Sequence, residues 1–403
     1  MSRAEGKKIT DRTMITRVES GGVDLVDRIA AEWRRLCDES GDEEVFYRPE
    51  WAQAYLRAFD QDAEVIVISA WSEDRLRGVL PLVQRRVSMS GLPVIQLTIP
   101  ANVHSLHASL TVCPGAEGAA ALQLLWRALA RLPGWDVVDV ANVVEGNGLD
   151  RLRELVRAAG CPTARKRTSQ TLYLAIGEAS GGQPPWLAGT RPKFRSHLRR
   201  ARRQLEEQGA LKLKHFATAD PAALERFYEL EASGWKGAEG TAIKCDPRTR
   251  QFYDHVAQAA ARDGYLSLDF LELNGQAIAA HFGFNHRGRY FLAKAGYDES
   301  FRRYGPGQLL VNEVLEESPQ RGLREFDFVG PATWDESRWA SSRRSNYRVF
   351  IFRPSWYGRL LYRLQISWRD AVWRLMGEQE DESIPLELKS KPQGSDKDAG
   401  GDS

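Results

Sequence analysis

Residues 288–330 read GRYFLAKAGYDESFRRYGPGQLLVNEVLEESPQRGLREFDFVG, and this stretch decides the fold of the 403-residue chain. A strand-like apolar pattern runs to Tyr297, a turn rich in arginine and glycine follows, and a helical pattern starts at Gln308. A second apolar run at 325–329 has the composition of a buried strand. The order of strand, turn, helix and strand, together with the elements before it, predicts a mixed α/β (α+β) fold.

The turn before this helix has the composition of a phosphate-binding turn. Gly305 and Gly307 allow the backbone to approach a ligand closely, and the helix N-terminus behind them offers N–H groups and a positive dipole end. Arg302 and Arg303 add positive charge, so the turn suits the pyrophosphate of coenzyme A. Pro306 removes one N–H donor, and an ordinary turn with both arginines in solvent is the competing interpretation.

Outward from this segment, each half of the chain shows the same order of elements: helices, a hairpin, and then strand, helix and strand. The repetition predicts a duplicated architecture, with short closing strands at 171–176 and 349–352. The Gly-, Ser- and Pro-rich stretch 177–185 separates the halves. The predicted division is a disordered N-terminus at 1–13, a first domain at 14–177, a linker at 178–190, a second domain at 191–355, an amphipathic helix at 356–377 and a disordered tail at 378–403.

The composition is ordinary for a globular protein, with 42% hydrophobic and 27% charged residues and a formal net charge of +2. No apolar run approaches the roughly 18–20 residues of a membrane span. The polar N-terminus lacks an apolar signal core, so a cytoplasmic location is predicted. The four cysteines are far apart and form no C-x-x-C motif, so neither a metal site nor a disulfide framework is expected.

A basic segment at 191–214 contains nine Lys or Arg residues and two Glu residues. Helical spacing places its apolar residues on one stripe and leaves Arg195 and Arg199 on a basic face. A face of one charge sign can bind the phosphates of a cofactor, of a nucleotide- or lipid-linked substrate, or of RNA. A solvated helix face is an equally weighted alternative.

Two residues are candidate general bases. Asp327 lies in an almost continuous apolar strand, where an acid is costly unless it is paired or used. It could act as a base or orient another group, and the alternative is a carboxylate bound by backbone or by a nearby arginine. His281 lies on a predicted central strand as a second candidate, although a hydrogen-bonded core histidine is the more common case.

Two other segments could contact a substrate or a surface. Trp235 and Lys236 begin a Gly-rich loop of the kind that closes over a substrate, and a Trp packed on the core beside an exposed Lys is the alternative. The segment 356–375 interleaves Leu, Trp and Val with Arg at helical spacing, which is typical of a helix that rests on an anionic membrane. Docking of this helix on the protein body is the slightly favoured alternative.

Several segments resemble the CelD-like branch of the GNAT acetyltransferases, which is similar to the FemAB-type transferases with two GNAT folds in one chain. The motifs lie within about residues 15–355 and are VFYRPEW at 45–51, GVLPL at 78–82, FRSHLRRARR at 194–203, WKG at 235–237, GTAI at 240–243, AKAGYD at 293–298, YGPG at 304–307 and DFVG at 327–330. The resemblance implies two tandem GNAT-like domains, each a mixed, mostly antiparallel sheet flanked by helices. The first domain would be degenerate and would shape the acceptor cleft.

The resemblance also implies transfer of an acyl group from acetyl-CoA or a longer acyl-CoA to an amine or hydroxyl, directly in a ternary complex and without a metal. The acceptor would be a small molecule or a glycan- or lipid-linked precursor of the cell envelope or of an exopolysaccharide. The implied binding residues are Arg302, Arg303, Gly305 and Gly307 for the cofactor, and Trp235, Lys236, Lys294, Arg195 and Arg199 for the substrate.

Two alternatives to this activity remain. One is a FemAB-like transferase that uses aminoacyl-tRNA, in which case the basic helix would hold the tRNA. The other is a non-catalytic GNAT scaffold at the inner face of the membrane, anchored by the C-terminal helix.

Overall fold

The computed structural model describes residues 14–177, 185–234, 237, 239–331, 336–339 and 342–367. Its strands are β1 (Met14–Gly21), β2 (Val65–Ser72), β3 (Arg75–Met89), β4 (Leu92–Thr98), β5 (Thr111–Val112), β6 (Val137–Val144), β7 (Thr163–Ala175), β8 (Leu211–Phe216), β9 (Leu266–Leu273), β10 (Gln276–His286), β11 (Arg289–Tyr297), β12 (Glu325–Pro331) and β13 (Ser342–Phe352). They form one 13-stranded sheet in the order β1-β2-β3-β4-β6-β13-β7-β12-β11-β10-β9-β8, with β5 paired to β3. The predicted mixed, mostly antiparallel sheet flanked by helices is confirmed.

The helices are α1 (Val23–Ser40), α2 (Pro49–Phe59), α3 (Gly115–Arg131), α4 (Gly148–Ala158), α5 (Pro185–Ala188), α6 (Pro192–Glu206), α7 (Pro221–Glu231), α8 (Pro247–Arg262), α9 (Pro306–Glu316) and α10 (Trp356–Tyr362). Asn147, Asp220 and Asp246 cap α4, α7 and α8 with side-chain oxygens that accept N–H bonds from the first turn. Among the described residues, no helix is both long enough and apolar enough to cross a membrane.

The two halves exchange their last strands. β13, from the second half, lies between β6 and β7 of the first half, and β7 lies between β13 and β12. Val349 of β13 thus pairs with Val140 of β6, while Leu174 of β7 pairs with Phe326 of β12. The predicted domains at 14–177 and 191–355 therefore each contribute a strand to the sheet of the other.

The predicted closing strands, 171–176 and 349–352, are too short. β7 begins at Thr163 and β13 at Ser342, because the polar residues that precede the apolar ends also form a ladder. Arg165, for example, stacks on the ring of Tyr347 across the two strands at 4.5 Å. These residues carry no hydrophobic alternation, so the strand pattern in the sequence ends before the strands do.

The largest apolar core lies between the halves and joins α1 and α2 to α7 and α8. Trp51 of α2 packs edge-on against Phe252 of α8, with ring centroids 5.8 Å apart, and against Phe284 of β10 at 5.4 Å. The opposite face of the sheet is covered by α3 and α4 in the first half and by α6 and α9 in the second.

Each half contains one place where two parallel strands separate. β4 pairs with β6 only through Gln96↔Val137 and Leu97↔Val138. β11 pairs with β12 through three residue pairs, of which the last is Phe291↔Asp327. Beyond these pairs the strands diverge, so each half has a wedge in its sheet.

Candidate active site

The wedge of the second half is lined by the end of β11. The pairing of β11 with β12 stops at Phe291, whereas its pairing with β10 continues to Tyr297. Residues 292–297 are partly exposed, in contrast to the buried residues 289–291. A backbone edge that loses one neighbouring strand can accept an extended ligand in its place.

The N-terminus of α9 stands at the far end of this wedge. Gly305 adopts φ 61° and precedes Pro306, the first residue of the helix. The N–H groups of Gln308 and Leu309 both donate to the Gly305 carbonyl, at 3.0 and 3.1 Å. A Cβ on Gly307 would lie 3.9 Å from Tyr297 Cδ1. The turn therefore faces the end of β11, as a site for a phosphate at a helix N-terminus requires.

The turn is surrounded by positive charge. The Arg302 side chain is 77% exposed, with Glu299 3.8 Å away. Arg303 stacks on the Tyr304 ring at 4.6 Å. From α6, His197 Nε2 comes within 3.6 Å of the position that a Gly305 Cβ would take. The predicted residues Arg302, Arg303, Gly305 and Gly307 thus form one contiguous surface beside α6.

The basic face of α6 is used in two ways. Arg195 Nη1 donates to the carbonyls of Leu187 and Thr190, at 3.1 and 2.6 Å. These contacts hold the chain before α6 in place, and the substrate-binding role of Arg195 stays a prediction. Arg199 is exposed and makes one long contact, 3.5 Å to Ser196 Oγ, so its charge is available to a ligand.

The first half supplies a wall opposite β11. Lys294 Nζ lies 5.8 Å from the ring centroid of Tyr253, and Tyr253 Oη lies 3.4 Å from His104 Nδ1. Burial, with Lys294 nearby, lowers the pKa of His104 to about 4. The loop that carries His104 thus borders the wedge near Lys294. Trp235 and Lys236 lie outside the described residues.

A buried carboxylate that the sequence analysis missed lies against β11. Glu231, the last residue of α7, is 2% exposed, and its Oε2 accepts the N–H of Ile243 at 3.0 Å. A Cβ on Gly296 would come within 2.6 Å of Glu231 Cα, so only glycine permits this close approach. Nothing in the local sequence marks this contact, which depends on the packing of α7 on the sheet.

Asp327 is fully buried and occupies the apex of the wedge. Its Oδ2 accepts from Arg289 Nη2 at 3.0 Å and from Arg344 Nη1 at 2.5 Å. Its Oδ1 accepts the N–H of Val329 at 2.8 Å, which helps to hold that β-branched residue at φ 57°. Burial raises the pKa of Asp327, while His107 and Arg344 oppose the shift.

Asp327 belongs to a larger set of charges, which we call the interhalf charge network. Arg289 also binds Glu44 at 3.0 Å and Glu325 at 2.7 Å. Arg344 binds Glu325 at 2.5 Å, and Glu44 binds His107 at 2.9 Å. The members of the network are Glu44, His107, Arg289, Glu325, Asp327 and Arg344. Asp327 is held by two guanidiniums, so its alternative interpretation as an arginine-bound carboxylate fits the geometry.

His281 lies on the other face of the sheet. Its ring is 6.4 Å from those of Tyr290 and Phe326, and Phe326 points away from its strand neighbour Asp327. The histidine is enclosed, its Nδ1 has no hydrogen-bond partner in the described structure, and burial lowers its pKa to about 4. The structure does not bring the two predicted bases together.

No group of three His, Cys, Asp or Glu side chains in the described part of the chain has the arrangement of a metal site.

Comparison with known proteins agrees with this geometry. Residues 192–340 match the family described as acetyltransferase (GNAT) domain. No curated protein sequence matches the chain.

Two solved structures are similar to the whole fold. The crystal structure of FemX is 12% identical, with a TM-score of 0.56, and covers 83% of this chain and 98% of its own. The C-terminal domain of a putative lysylphosphatidylglycerol synthetase from Agrobacterium fabrum is 11% identical, with a TM-score of 0.50, and covers 87% of this chain and 95% of its own. At these identities the similarity shows the fold. Residues 192–340 thus match a GNAT acetyltransferase domain, and the chain as a whole has a fold similar to that of FemX.

Proposed function

We propose that this tandem GNAT protein is an acyltransferase that moves an acyl group from acyl-CoA to an amine or hydroxyl acceptor at the wedge of its second half. One observation carries the proposal: β11 separates from β12 after Phe291, and its far end faces the N-terminus of α9. A thioester ligand needs both features, an edge for its amide-containing arm and a positive site for its pyrophosphate.

The arginines of the turn supply much of the attraction for the pyrophosphate. Pro306 has no N–H, and Gln308 and Leu309 already donate to Gly305, so few backbone donors of the first turn of α9 remain for an anion. Arg302 and Arg303 compensate with charge. The acyl carbonyl would then lie along β11 towards Phe291, where an acceptor arrives from the side of the first half.

The chemical step is a direct displacement. The acceptor nitrogen or oxygen attacks the thioester carbonyl, the new C–N or C–O bond forms, and the C–S bond breaks to release the thiol of coenzyme A. None of the free cysteines has a base at hydrogen-bond distance among the described residues, which favours attack by the acceptor itself over a covalent enzyme intermediate.

We further propose an acceptor linked to the cell envelope, with peripheral contact of the protein to an anionic membrane. Trp356 is 78% exposed and Leu360 is 38% exposed, one helical turn apart on α10. Arg359 and Arg363 lie on the same segment. An exposed apolar pair flanked by arginines is the composition of a helix at a lipid surface.

A second candidate donor is aminoacyl-tRNA, supported by the exposed arginines of α6 beside the turn. Arg199, Arg200 and Arg203 are all exposed, and a basic helix face next to an acyl site can hold the backbone of a nucleic acid. The fold shared with FemX is compatible with this hypothesis.

Calorimetric titration of the purified chain with acetyl-CoA and with a longer acyl-CoA tests the proposal. Saturable binding of either ligand supports an acyl-CoA donor, and the ratio of the two Kd values ranks the chain lengths. Absence of binding to both would reject this donor, and titration with aminoacyl-tRNA at two salt concentrations would follow. Binding to anionic vesicles with neither donor bound would favour the non-catalytic scaffold.

A further inference from the structure

A small cavity lies in the first half, beside the interhalf charge network. Its volume is about 20 Å³, enough for roughly one water or one small polar group. Four of its lining side chains are aromatic: Trp33, Phe46, Tyr47 and Trp51. His107 completes the lining on the side of the network.

Two of these side chains have a nitrogen without a hydrogen-bond partner among the described residues. Trp51 is 2% exposed and His107 is 1% exposed. Within the described structure, Trp51 Nε1 and His107 Nε2 have no hydrogen-bond partner. Buried polar atoms of folded proteins are nearly always satisfied, so two unsatisfied nitrogens around one cavity indicate that a water or a polar ligand group binds there.

The contact of His107 Nδ1 with Glu44 determines which ring nitrogen carries the proton. Nδ1 lies 2.9 Å from Glu44 Oε2, and Glu44 Oε1 is held by Arg289 at 3.0 Å. Because a carboxylate can only accept, Nδ1 carries the proton and Nε2 of a neutral ring presents its lone pair. A carboxylate that orients a histidine in this way is the arrangement of a general base.

The charges around the cavity favour a cation. The network contains three carboxylates, those of Glu44, Glu325 and Asp327, and two guanidiniums, those of Arg289 and Arg344. One negative charge is therefore in excess while His107 is neutral. Aromatic faces also attract a cation.

The guanidinium of Arg48, which also lines the cavity, is neutralised by carboxylates beside it. Arg48 lines the cavity and has Asp38 2.7 Å away and Glu50 and Asp263 each 3.8 Å away. The groups that face His107 or the cavity from the surrounding elements are Glu44, Tyr47, Arg48, Arg289, Asp327 and Arg344.

We propose that this cavity binds the ammonium group of a primary-amine acceptor, and that His107, oriented by Glu44, takes the proton that makes the amine a nucleophile. The inference rests on the proposed function and names its acceptor class. The cavity is close to the wedge of the second half, since Phe46 contacts both His107, at 5.2 Å, and Phe291 of β11, at 5.4 Å between ring centroids.

The protons and electrons balance. The ammonium gives one proton to His107 Nε2, which cancels the excess charge of the network. The neutral amine attacks the thioester carbonyl, the C–N bond forms, and the C–S bond breaks. The second amine proton leaves with the thiolate as free thiol, and imidazolium returns its proton to water. Trp51 Nε1–H would donate to an oxygen beside the amine, as in an amino alcohol or an amino sugar.

Nitrogen-15 NMR of the full chain, labelled at histidine, tests the proposal with methylammonium chloride as the probe. His107 is assigned from the signal lost in His107→Gln. Proton and methylammonium compete for the same negative site, so we expect the titration midpoint of His107 to fall by about one pH unit at ten times the Kd of the probe. Sodium chloride at equal ionic strength should leave the midpoint unchanged.

Two variants make the result specific. Trp51→Phe should keep the fold but weaken the methylammonium effect, and Glu44→Gln should remove the preference for a proton on Nδ1. His255→Gln is the matched control, because His255 lies on α8 with its Nδ1 bound to the Gln251 carbonyl, and it should behave like the parent chain.

A midpoint that does not respond to methylammonium, or a neutral His107 that carries its proton on Nε2, would overturn the inference. Acetyl-CoA titration of the same samples separates this failure from failure of the proposed function. Retained acetyl-CoA binding with an unresponsive His107 rejects the amine site alone. Loss of acetyl-CoA binding in the parent chain rejects the donor.

Discussion

In each half of the sheet two parallel strands separate to form a wedge, but the chain beside the two wedges is arranged differently. In the first half, the chain after β4 folds back into the gap: Ala108 N–H donates to the Asn142 carbonyl of β6 at 3.0 Å, and β5 then pairs with β3. In the second half, no described segment pairs with β11 in its gap beyond Phe291. The described residues thus fill the first wedge, whereas in the second wedge β11 and β12 separate after Phe291.

The helices that follow the two wedges, α3 and α9, differ in how closely other atoms approach their N-terminal glycines. At α3, a Cβ on Gly118 would fall 1.7 Å from the Cys113 carbonyl oxygen, so the chain itself covers the helix N-terminus. At α9, the nearest atom to a Cβ on Gly307 is 3.9 Å away. The loop that follows β4 in the first half carries His104 and His107, and His104 lies beside Tyr253 of the second half.

The largest expected effect concerns the acids at the two wedges. Asp327 is enclosed and bound by two guanidiniums, so Asp327→Asn should lower the free energy of unfolding by about 3–5 kcal/mol. The counterpart Asp139 is bound by Arg348, whose side chain is 49% exposed, and Asp139→Asn should cost about half as much. Urea unfolding at pH 7 measures both. Unchanged stability with lost transfer in Asp327→Asn would restore Asp327 as the base.

Substitutions of the glycines at the N-termini of α3 and α9 should have different effects, one on folding and the other on acetyl-CoA binding. Gly307→Val places a side chain across the open turn without a backbone clash, so acetyl-CoA binding should weaken by about 100-fold, or about 2.7 kcal/mol, with an unchanged Tm. Gly118→Ala should lower the Tm and leave the Kd of the folded fraction unaltered. Calorimetry and thermal unfolding test the pair. Equal Kd values for Gly307→Val and the parent chain would remove the turn from the donor site.

Acid should destabilise the face of the sheet beneath α9 more than the matching face of the first half. The face of the sheet beneath α9 contains His281, whose folded-state pKa of about 4 lies below its ordinary value near 6.5, whereas the matching face of the first half carries Leu80 and Leu82. The unfolded chain binds more protons between these values, so stability is complete above about pH 6.5 and falls towards pH 4, by about 2 kcal/mol between pH 7 and 5.

Hydrogen exchange at both pH values should locate this loss in β9 to β11. His281→Leu should reduce the pH dependence but not abolish it, because burial also lowers the pKa values of His104 and His286 to about 4. If peptides of the matching face in the first half show an equal increase in hydrogen exchange at pH 5, the prediction is wrong.

The smallest expected effect concerns the arginines of the open turn. Arg302→Ala and Arg303→Ala should each weaken acetyl-CoA binding by about tenfold at low salt, and less at high salt because exposed charges are screened. Arg127→Ala on α3 of the first half is the matched control and should bind as the parent does. Titrations at two ionic strengths measure the change. A loss independent of salt would assign the arginines a role other than charge.

The sequence predicts well those elements whose pattern is local. The helices at 49–59 and 247–262 begin at proline and follow the apolar spacing of their own residues. The Asn274-Gly275 pair is typical of a hairpin turn, and both residues have the positive φ of a tight turn, 52° and 85°. The turn before α9 is likewise predicted from its own residues, without reference to distant parts of the chain.

Elements that depend on distant partners could not be predicted. β1 and β8 are edge strands, each with one neighbour among the described strands. The polar starts of β7 and β13 form strands because they pair with each other. The sequence marks Asp327 as an acid within an apolar strand. Its partner Arg344 lies in the polar start of β13, which has no hydrophobic alternation. Glu44, His107 and Arg289 meet only after the halves have packed.

The exchange of β7 and β13 also has a consequence for synthesis on the ribosome. The contact between Asp139 and Arg348 spans 209 positions of sequence, so the first half emerges long before the strand that fills its sheet. Until then β6 and β7 present unpaired edges, which invite association with other chains. A topology with such distant pairing folds slowly, and we expect the nascent chain to depend on chaperones until its last sheet strand has left the ribosome.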